Sequence, residues 1–143
     1  MWWWNSMKQP PFISKQMAYW DQLDMLGVLH NGAYINFFER ARTEFWRSLG
    51  VKGYNDPRFD WPYFVARNEI DYLAPITNEE PIEVSVFIVK IGTTSLTFGH
   101  ELHRADGVMA TRGATVLVRT DPVTQKPIPW SEAFREMVAP FVI

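Results

Sequence analysis

Residues 31–50 read NGAYINFFERARTEFWRSLG and carry the clearest periodic pattern in the chain. Apolar residues recur there every three or four positions, at Tyr34, Phe38, Ala41, Phe45 and Leu49. Phe37 and Trp46 stand beside this series. This spacing predicts one long amphipathic helix with a broad apolar stripe that faces a core. Asn31 is expected to cap the start of the helix, and Gly50 is expected to end it.

The charged residues of the same stretch are predicted to form the solvated side of the helix. Glu39 and Arg42 stand three positions apart, and Arg40 and Glu44 stand four apart, so each pair lies on neighbouring turns. Arg47 continues this charged side toward the end of the helix. We interpret these charges as a solvated helix surface and not as a binding patch.

A pattern of β-strands surrounds this helix. A short strand is expected before Asp24, and apolar and polar residues alternate after the helix at 63–74, 82–88, 96–103 and 108–120. The alternation groups two sets of residues, each on one strand face: Leu96, Phe98, His100 and Leu102, and then Ala110, Ala114, Val116 and Val118. A short helix is expected at residues 131–137. This order favours one α+β domain over residues 1–143, with one sheet around one helix.

Composition narrows the class of protein. The 143 residues carry a net charge of -2, which leaves no basic excess to hold a nucleic-acid backbone. The absence of cysteine excludes disulfides and a cysteine nucleophile, and is typical of a cytoplasmic protein. Trp2, Trp3 and Trp4 fall in an N-terminal extension, residues 1–11, that lacks the long aliphatic run of a signal peptide or membrane span. We interpret this extension as lying on the domain or on a neighbouring subunit, without stable membrane insertion.

The segment from Asp24 to Asn31 is the best candidate for a functional site. It is expected to be irregular backbone between a strand and the helix start, where functional residues are often found. The unpaired N–H groups and positive dipole end of a helix start can stabilise an oxyanion, and Gly32 leaves room for close approach. The carboxylate of Asp24 can attack a thioester or draw a proton from water. An aspartate in this position is also typical of a turn or a cap.

Residues 24–42 read DMLGVLHNGAYINFFERAR, and this stretch closely resembles the 4-hydroxybenzoyl-CoA thioesterase family, whose members have the hotdog fold. The shared pattern is an aspartate, two residues, a glycine, and then an asparagine or histidine ahead of a tyrosine. A weaker similarity extends from about Ala18 to Pro129. The resemblance implies a hotdog fold, in which an antiparallel sheet wraps around one long central helix, and it implies hydrolysis of an acyl-CoA thioester.

The resemblance also assigns roles to residues of this segment. Asp24 would be the nucleophile or general base, and the backbone N–H near Asn31 would bind the thioester oxygen. Some members carry a histidine at the position of Asn31, whereas this chain has His30 one residue earlier. Because a histidine exchanges its proton near neutral pH, His30 is a candidate acid or water-orienting group, and a histidine at a helix start is also typical of a cap or a packing residue. Further substrate contacts are expected within the motif and after Gly92, the latter from a neighbouring subunit: Gly27, Gly32, Tyr34, Thr94 and Ser95. Thr94 and Ser95 equally suit the start of a strand.

Residues outside the motif offer further contacts for a substrate. The phosphates of coenzyme A suit basic side chains, which the sequence offers at Lys90, Arg104, Arg112 and Arg119. Aromatic bulk suited to an acyl pocket is present at Trp46, Trp61, Tyr63 and Phe64. Asp21 is a second carboxylate near Asp24, but it stands outside the motif and is expected to lie at the surface.

Acyl-CoA is the expected partner, and the resemblance implies dimers, usually paired into tetramers, with active sites between subunits. No metal or separate cofactor is expected, because coenzyme A is part of the substrate. His100 and His103 are unsuited to one metal ion, since a strand points residues three apart to opposite faces. Two alternatives to hydrolysis remain open: a non-catalytic acyl-CoA binding module, and a hotdog-fold enoyl-CoA hydratase, although the Asn-Pro motif of the hydratases does not occur in the sequence.

Overall fold

The computed structural model describes residues 10–53 and 55–143. The strands and helices, in chain order, are β1 Phe12–Ala18, α1 Asn31–Ser48, β2 Tyr63–Tyr72, β3 Glu80–Ile91, β4 Ser95–His103, β5 Met109–Arg119 and α2 Glu132–Val138. Single turns of 3-10 helix lie at Trp20–Gln22 and Ala139–Phe141. None of these helices is both long enough and apolar enough to cross a membrane. The predicted packing of Trp2, Trp3 and Trp4 concerns residues outside the described ranges.

The five strands form one antiparallel sheet in the order β1-β3-β4-β5-β2. β1 and β2 are therefore the two edges of the sheet. α1 packs across one face of the sheet, which we call the inner face, and contacts β1 and β3 most closely. Both helices and five strands thus give the predicted α+β arrangement of one antiparallel sheet around one long helix.

α1 agrees with the predicted helix except at its cap. It runs for 18 residues and buries Ala33, Tyr34, Phe37, Phe38, Ala41, Arg42, Phe45 and Trp46. The predicted cap was wrong by one position: His30 is the N-cap, and Asn31 is the first residue of the helix. Gly50, with a φ of 83°, supplies the left-handed residue that commonly follows a helix end.

Arg42 contradicts the prediction that the charges of α1 are all solvated. Its side chain is buried, and its Nη1 lies 3.2 Å from both His100 Nε2 and Thr115 Oγ1. The His100 ring stacks on Phe38, and its Nδ1 lies 3.1 Å from the Ser85 carbonyl oxygen. Burial and the neighbouring Arg42 charge lower the pKa of His100 to about 3, so the imidazole is neutral and can accept from the guanidinium.

The two predicted strand faces have different outcomes. The β4 face is confirmed, because Leu96, Phe98, His100 and Leu102 are all fully buried beneath α1. On β5, only Ala110 of the predicted set is buried, and the side chains turned toward α1 are Thr111, Thr115 and Leu117. The register between β4 and β5 shifts beside Ala110. A β-bulge of this kind moves a residue to the other face of the strand, and the alternation of apolar and polar residues in the sequence does not reveal it.

An aromatic cluster fills the core between α1, the sheet and α2. The Trp46 ring contacts Phe59, Phe98 and Phe134 at centroid distances between 5.4 and 5.7 Å. Trp46 is therefore a core residue rather than the wall of an acyl pocket. Trp61 and Phe64, in contrast, lie at or beside the start of β2 and are about half exposed.

Candidate active site

The turn after β1 holds Asp24 in place. Asp24 Oδ1 accepts hydrogen bonds from the backbone N–H groups of Leu26 at 2.8 Å and Val28 at 3.4 Å. The Asp24 N–H donates to the Val28 carbonyl at 2.8 Å, and Gly27, with a φ of 77°, supplies the left-handed residue that the turn requires. No hydrogen bond within residues 10–53 and 55–143 uses Asp24 Oδ2. The carboxylate is thus held by one oxygen while the other stays open.

His30 joins this turn to the start of α1. Its Nδ1 accepts the Gly32 N–H at 3.0 Å, and its own backbone N–H donates to the Gln22 carbonyl at 3.0 Å. The predicted capping role of His30 is therefore confirmed, and its catalytic role stays a prediction. Because the cap takes the Gly32 N–H, the Asn31 N–H remains one of the donors that a helix start leaves without an intrahelical acceptor.

Asp24 and His30 line the same open cleft, which has a volume of about 500 Å³. Gly32 and Asn36 of α1 form one wall, and Asp21 and Gln22 belong to the other. The sequence interpretation missed Asn36, although its spacing of four from Gly32 is a signal that both share one helix side. Gln22 offers no such signal, because it reaches the cleft only through the fold of the 3-10 turn.

Asn31 and Tyr34 line a separate, smaller groove on another side of the helix start, with a volume of about 220 Å³. The Tyr72 hydroxyl, at the end of β2, donates to the Asn31 carbonyl at 3.2 Å. The rings of Tyr34 and Tyr72 meet edge to face at 5.3 Å, and burial raises the pKa of the Tyr34 hydroxyl. The end of β2 is therefore tied to the helix start.

Thr94 and Ser95 lie at the opposite end of the sheet from Asp24. The Thr94 carbonyl accepts the Arg119 N–H at 2.9 Å, so both residues stand where β3 turns into β4 beside the end of β5. The Asp24 turn lies at the end of the sheet where β3 begins. Leu29, in the segment that follows the turn, donates its N–H to the carbonyl of Ile76, which stands four residues before β3. Within one chain, the structure does not bring Thr94 and Ser95 to Asp24.

Three of the four basic residues considered for phosphate contacts form ion pairs with carboxylates. Arg104, Arg112 and Arg119 lie 2.6, 3.3 and 3.4 Å from carboxylate oxygens, those of Asp106, Asp71 and Asp60. Lys90 stands near the end of β3, away from Asp24. Among the described residues, no three His, Asp or Glu side chains are grouped so that they could hold a metal ion.

The geometry around Asp24 suits attack on a carbonyl group. An open carboxylate oxygen stands in a cleft at a helix start, where an unused N–H and the helix dipole favour developing negative charge. A carboxylate can act there as a nucleophile or as a general base without a separate serine or cysteine.

Comparison with known proteins assigns the family. The family model described as the thioesterase-like superfamily matches residues 18–138, which include the Asp24 turn, α1 and the whole sheet after it. The chain belongs to the thioesterase-like superfamily. This confirms the resemblance to thioesterases that the motif at residues 24–42 indicated.

One relative is similar to this chain in sequence, and one solved structure is similar to it in both sequence and fold. The acyl-CoA thioester hydrolase YbgC of Escherichia coli O6:H1 is 27% identical over 110 residues, which are 77% of this chain and 82% of that protein. A thioesterase of Thermus thermophilus, solved with coenzyme A and zinc, is 29% identical with a TM-score of 0.75, covering 88% of this chain and 95% of that one.

A 1,4-dihydroxy-2-naphthoyl-CoA thioesterase from Synechocystis shares the fold at lower sequence identity. It is 16% identical and has a TM-score of 0.80, with 91% of this chain and 96% of that chain covered. These solved thioesterase structures confirm the predicted hotdog fold, with its five-stranded antiparallel sheet and long helix.

Proposed function

We propose that this chain hydrolyses an acyl-CoA thioester to a free acid and coenzyme A, with the Asp24 carboxylate as the reacting group. The observation that carries this proposal is the geometry of Asp24, whose Oδ1 is held by two backbone N–H groups while Oδ2 is open beside the start of α1. The substrate class is supported by the similarity to YbgC, an acyl-CoA thioester hydrolase.

Two routes are compatible with this arrangement. In the general-base route, Asp24 Oδ2 takes a proton from water as the water oxygen bonds to the thioester carbon. The carbonyl oxygen becomes an oxyanion that the Asn31 N–H stabilises, then the C–S bond breaks and the leaving thiolate takes up the proton. In the nucleophilic route, Oδ2 itself bonds to the carbon, the thiolate leaves, and water hydrolyses the anhydride.

We further propose that two copies of the chain pair along β2. This edge strand has ten residues, most of them exposed, and its large apolar side chains Phe64, Val65 and Tyr72 are 47%, 42% and 51% exposed. An exposed edge of this length presents a row of unpaired N–H and C=O groups that a second strand can bind. Two identical edges pair about a two-fold axis, which gives a closed dimer.

Antiparallel pairing of the two β2 strands sets the start of one against the end of the other. The end of β2 is tied to Asn31 through Tyr72, and the start of β2 lies beside the end of β5, where Thr94 is held. A second copy thus supplies its Thr94 and Ser95 to the neighbourhood of the helix start. The dimer is therefore the state in which the predicted substrate contacts come together.

The replacement Asp24→Asn tests the reaction. Asparagine keeps the side-chain oxygen that accepts from Leu26 and Val28, so the turn is retained while the charge is lost. We expect thiol release from a panel of acyl-CoAs to fall by about a hundredfold or more. Asp21→Asn, in the same cleft but outside the motif, is the matched control and should stay close to wild type.

Two results would contradict the proposal: no thiol release by the wild type from any acyl-CoA or acyl-carrier-protein thioester, or unchanged turnover by Asp24→Asn. Tight binding of an acyl-CoA without turnover would instead identify an acyl-CoA binding module. Hydration of an enoyl-CoA without thiol release would identify a hydratase.

A further inference from the structure

A second groove runs along the outer side of α1 and continues from the cleft at Asp24. It has a volume of about 590 Å³ and is lined on α1 by Arg40, Thr43, Glu44 and Arg47 among others. Gln22 and Asn36 line both the groove and the cleft, so the two spaces are continuous. We call this space the α1 groove.

Arg40 and Arg47 differ from the other arginines in the described ranges. Both are exposed, and neither has a hydrogen bond or ion pair with any residue in 10–53 or 55–143. The other arginines described there all hold a carboxylate, a carbonyl or a buried polar side chain: Arg42, Arg58, Arg67, Arg104, Arg112, Arg119 and Arg135. Two guanidinium groups are thus available within one groove.

Two carboxylates also line the groove, but among the described residues neither forms an ion pair with Arg40 or Arg47. Glu44 lies between them in sequence, but its carboxylate accepts a hydrogen bond from the Ser14 hydroxyl on β1. Glu39 also lines the groove, and its charge acts on the buried Arg42. The α1 groove therefore presents two guanidinium groups that are free to bind a ligand, on a surface that also carries two carboxylates.

The spacing of the two arginines along α1 suits a long, extended ligand. With a rise of about 1.5 Å per residue, Arg40 lies about 14 Å and Arg47 about 24 Å from Asn31 along the helix axis. They stand seven residues apart, which is close to two turns, so both face the same side. A thioester bound at the helix start would extend its pantetheine arm toward Arg40 and its ribose phosphate toward Arg47.

We propose that the α1 groove binds the nucleotide end of coenzyme A, with Arg40 at the diphosphate and Arg47 at the phosphate on the ribose. A guanidinium matches the oxygens of a phosphate with two parallel N–H bonds, which makes arginine well suited to this role. The proposal rests on the proposed thioester hydrolysis, and it favours coenzyme A over a carrier protein, whose pantetheine arm lacks the ribose phosphate.

The test compares Arg40→Ala and Arg47→Ala on three thioesters of one acyl group: the coenzyme A form, the form without the ribose 3′-phosphate, and the pantetheine form. Lys15→Ala, an exposed cation on β1 outside the α1 groove, is the matched control for lost charge. We expect Arg47→Ala to raise KM for the coenzyme A form by about tenfold, with kcat retained. The form without the ribose phosphate should be insensitive to this variant.

Arg40→Ala should raise KM for both nucleotide forms and leave the pantetheine form unchanged. The inference is overturned if both variants stay within twofold of wild type on the coenzyme A form, or if all three thioesters are affected alike. If the wild type hydrolyses none of them, the proposed function fails, and calorimetric binding of free coenzyme A to the same variants still tests the groove. Affinity independent of both arginines would overturn the groove assignment by itself.

Discussion

Asp24 and His30 each use one side-chain atom to hold the backbone and leave the other available. Asp24 Oδ1 closes the turn, and His30 Nδ1 caps α1 through Gly32. Because Nδ1 accepts, the neutral imidazole carries its proton on Nε2. A residue fixed in this way loses little freedom when it engages a substrate, which is the geometric requirement for a group that reacts.

Replacement of His30 separates its capping role from catalysis. His30→Ala removes the acceptor of the Gly32 N–H and should lower the free energy of unfolding by about 1 kcal/mol. His30→Asn supplies another good N-cap acceptor and should restore that stability. We expect His30→Asn to keep most of the kcat, as measured by thiol release alongside urea unfolding. A stable His30→Asn protein without turnover would instead make the imidazole itself part of the chemistry.

The elements of the fold were predictable to the extent that their signals are local. The stripe of α1 and the buried face of β4 follow directly from periodicity, and the Asp24 turn and the helix start are adjacent in sequence. The inner face of β5 was not predictable, because the polar residues Thr111 and Thr115 occupy it, while the more apolar set of Ala114, Val116 and Val118 lies on the other face. The distance of Thr94 from Asp24 within one chain is compatible with the expectation that Thr94 contacts the substrate of a neighbouring subunit.

Arg42 shows the same limit on a helix. Its spacing from Glu39 is that of a surface pair, but its partners His100 and Thr115 come from β4 and β5. Thr115 in turn donates to Asn68 Oδ1 on β2 at 2.7 Å. One polar chain, buried except at Asn68, therefore links α1 to β4, β5 and β2, and only the assembled sheet reveals it.

Replacement of Arg42 should weaken this link. Arg42→Met keeps the aliphatic bulk but leaves His100 Nε2 without a donor, which should lower the free energy of unfolding by about 1–3 kcal/mol. The double variant Arg42→Met/His100→Leu removes both partners and should recover part of the loss. Arg40→Met, on the exposed side of α1, is the control in urea unfolding. A loss for Arg42→Met no greater than for Arg40→Met would contradict a structural role for the chain.

At the scale of the whole molecule, two buried groups on opposite faces of β4 make stability depend on pH in opposite directions. Burial lowers the pKa of His100 to about 3, and burial raises the pKa of Glu101 to about 7. Between pH 3 and the ordinary histidine pKa of 6.5, the unfolded chain binds more protons at His100 than the folded chain does, so the free energy of unfolding rises with pH. Between the ordinary glutamate pKa of 4.5 and pH 7, the folded chain binds more protons at Glu101 than the unfolded chain does, so the free energy of unfolding falls with pH.

The two slopes should nearly cancel where they overlap, at about pH 4.5 to 6.5. We therefore expect the free energy of unfolding of the wild type to change little across that window. Glu101→Gln removes one slope, and stability should then rise with pH by up to about 1.4 kcal/mol per pH unit. Glu83→Gln, an exposed carboxylate on β3, is the control. Parallel pH profiles for Glu101→Gln and the wild type would show that Glu101 titrates normally.

The open edge of β2 also bears on how the chain avoids wrong contacts during synthesis. A row of ten residues that can accept one correct strand can also accept an incorrect one, which is the first step of aggregation. The side of this strand turned away from α1 carries Arg67, Glu69 and Asp71. Charged side chains on an edge strand disfavour pairing with a strand whose charges are not complementary. The strand thus carries its own protection against misassembly during synthesis.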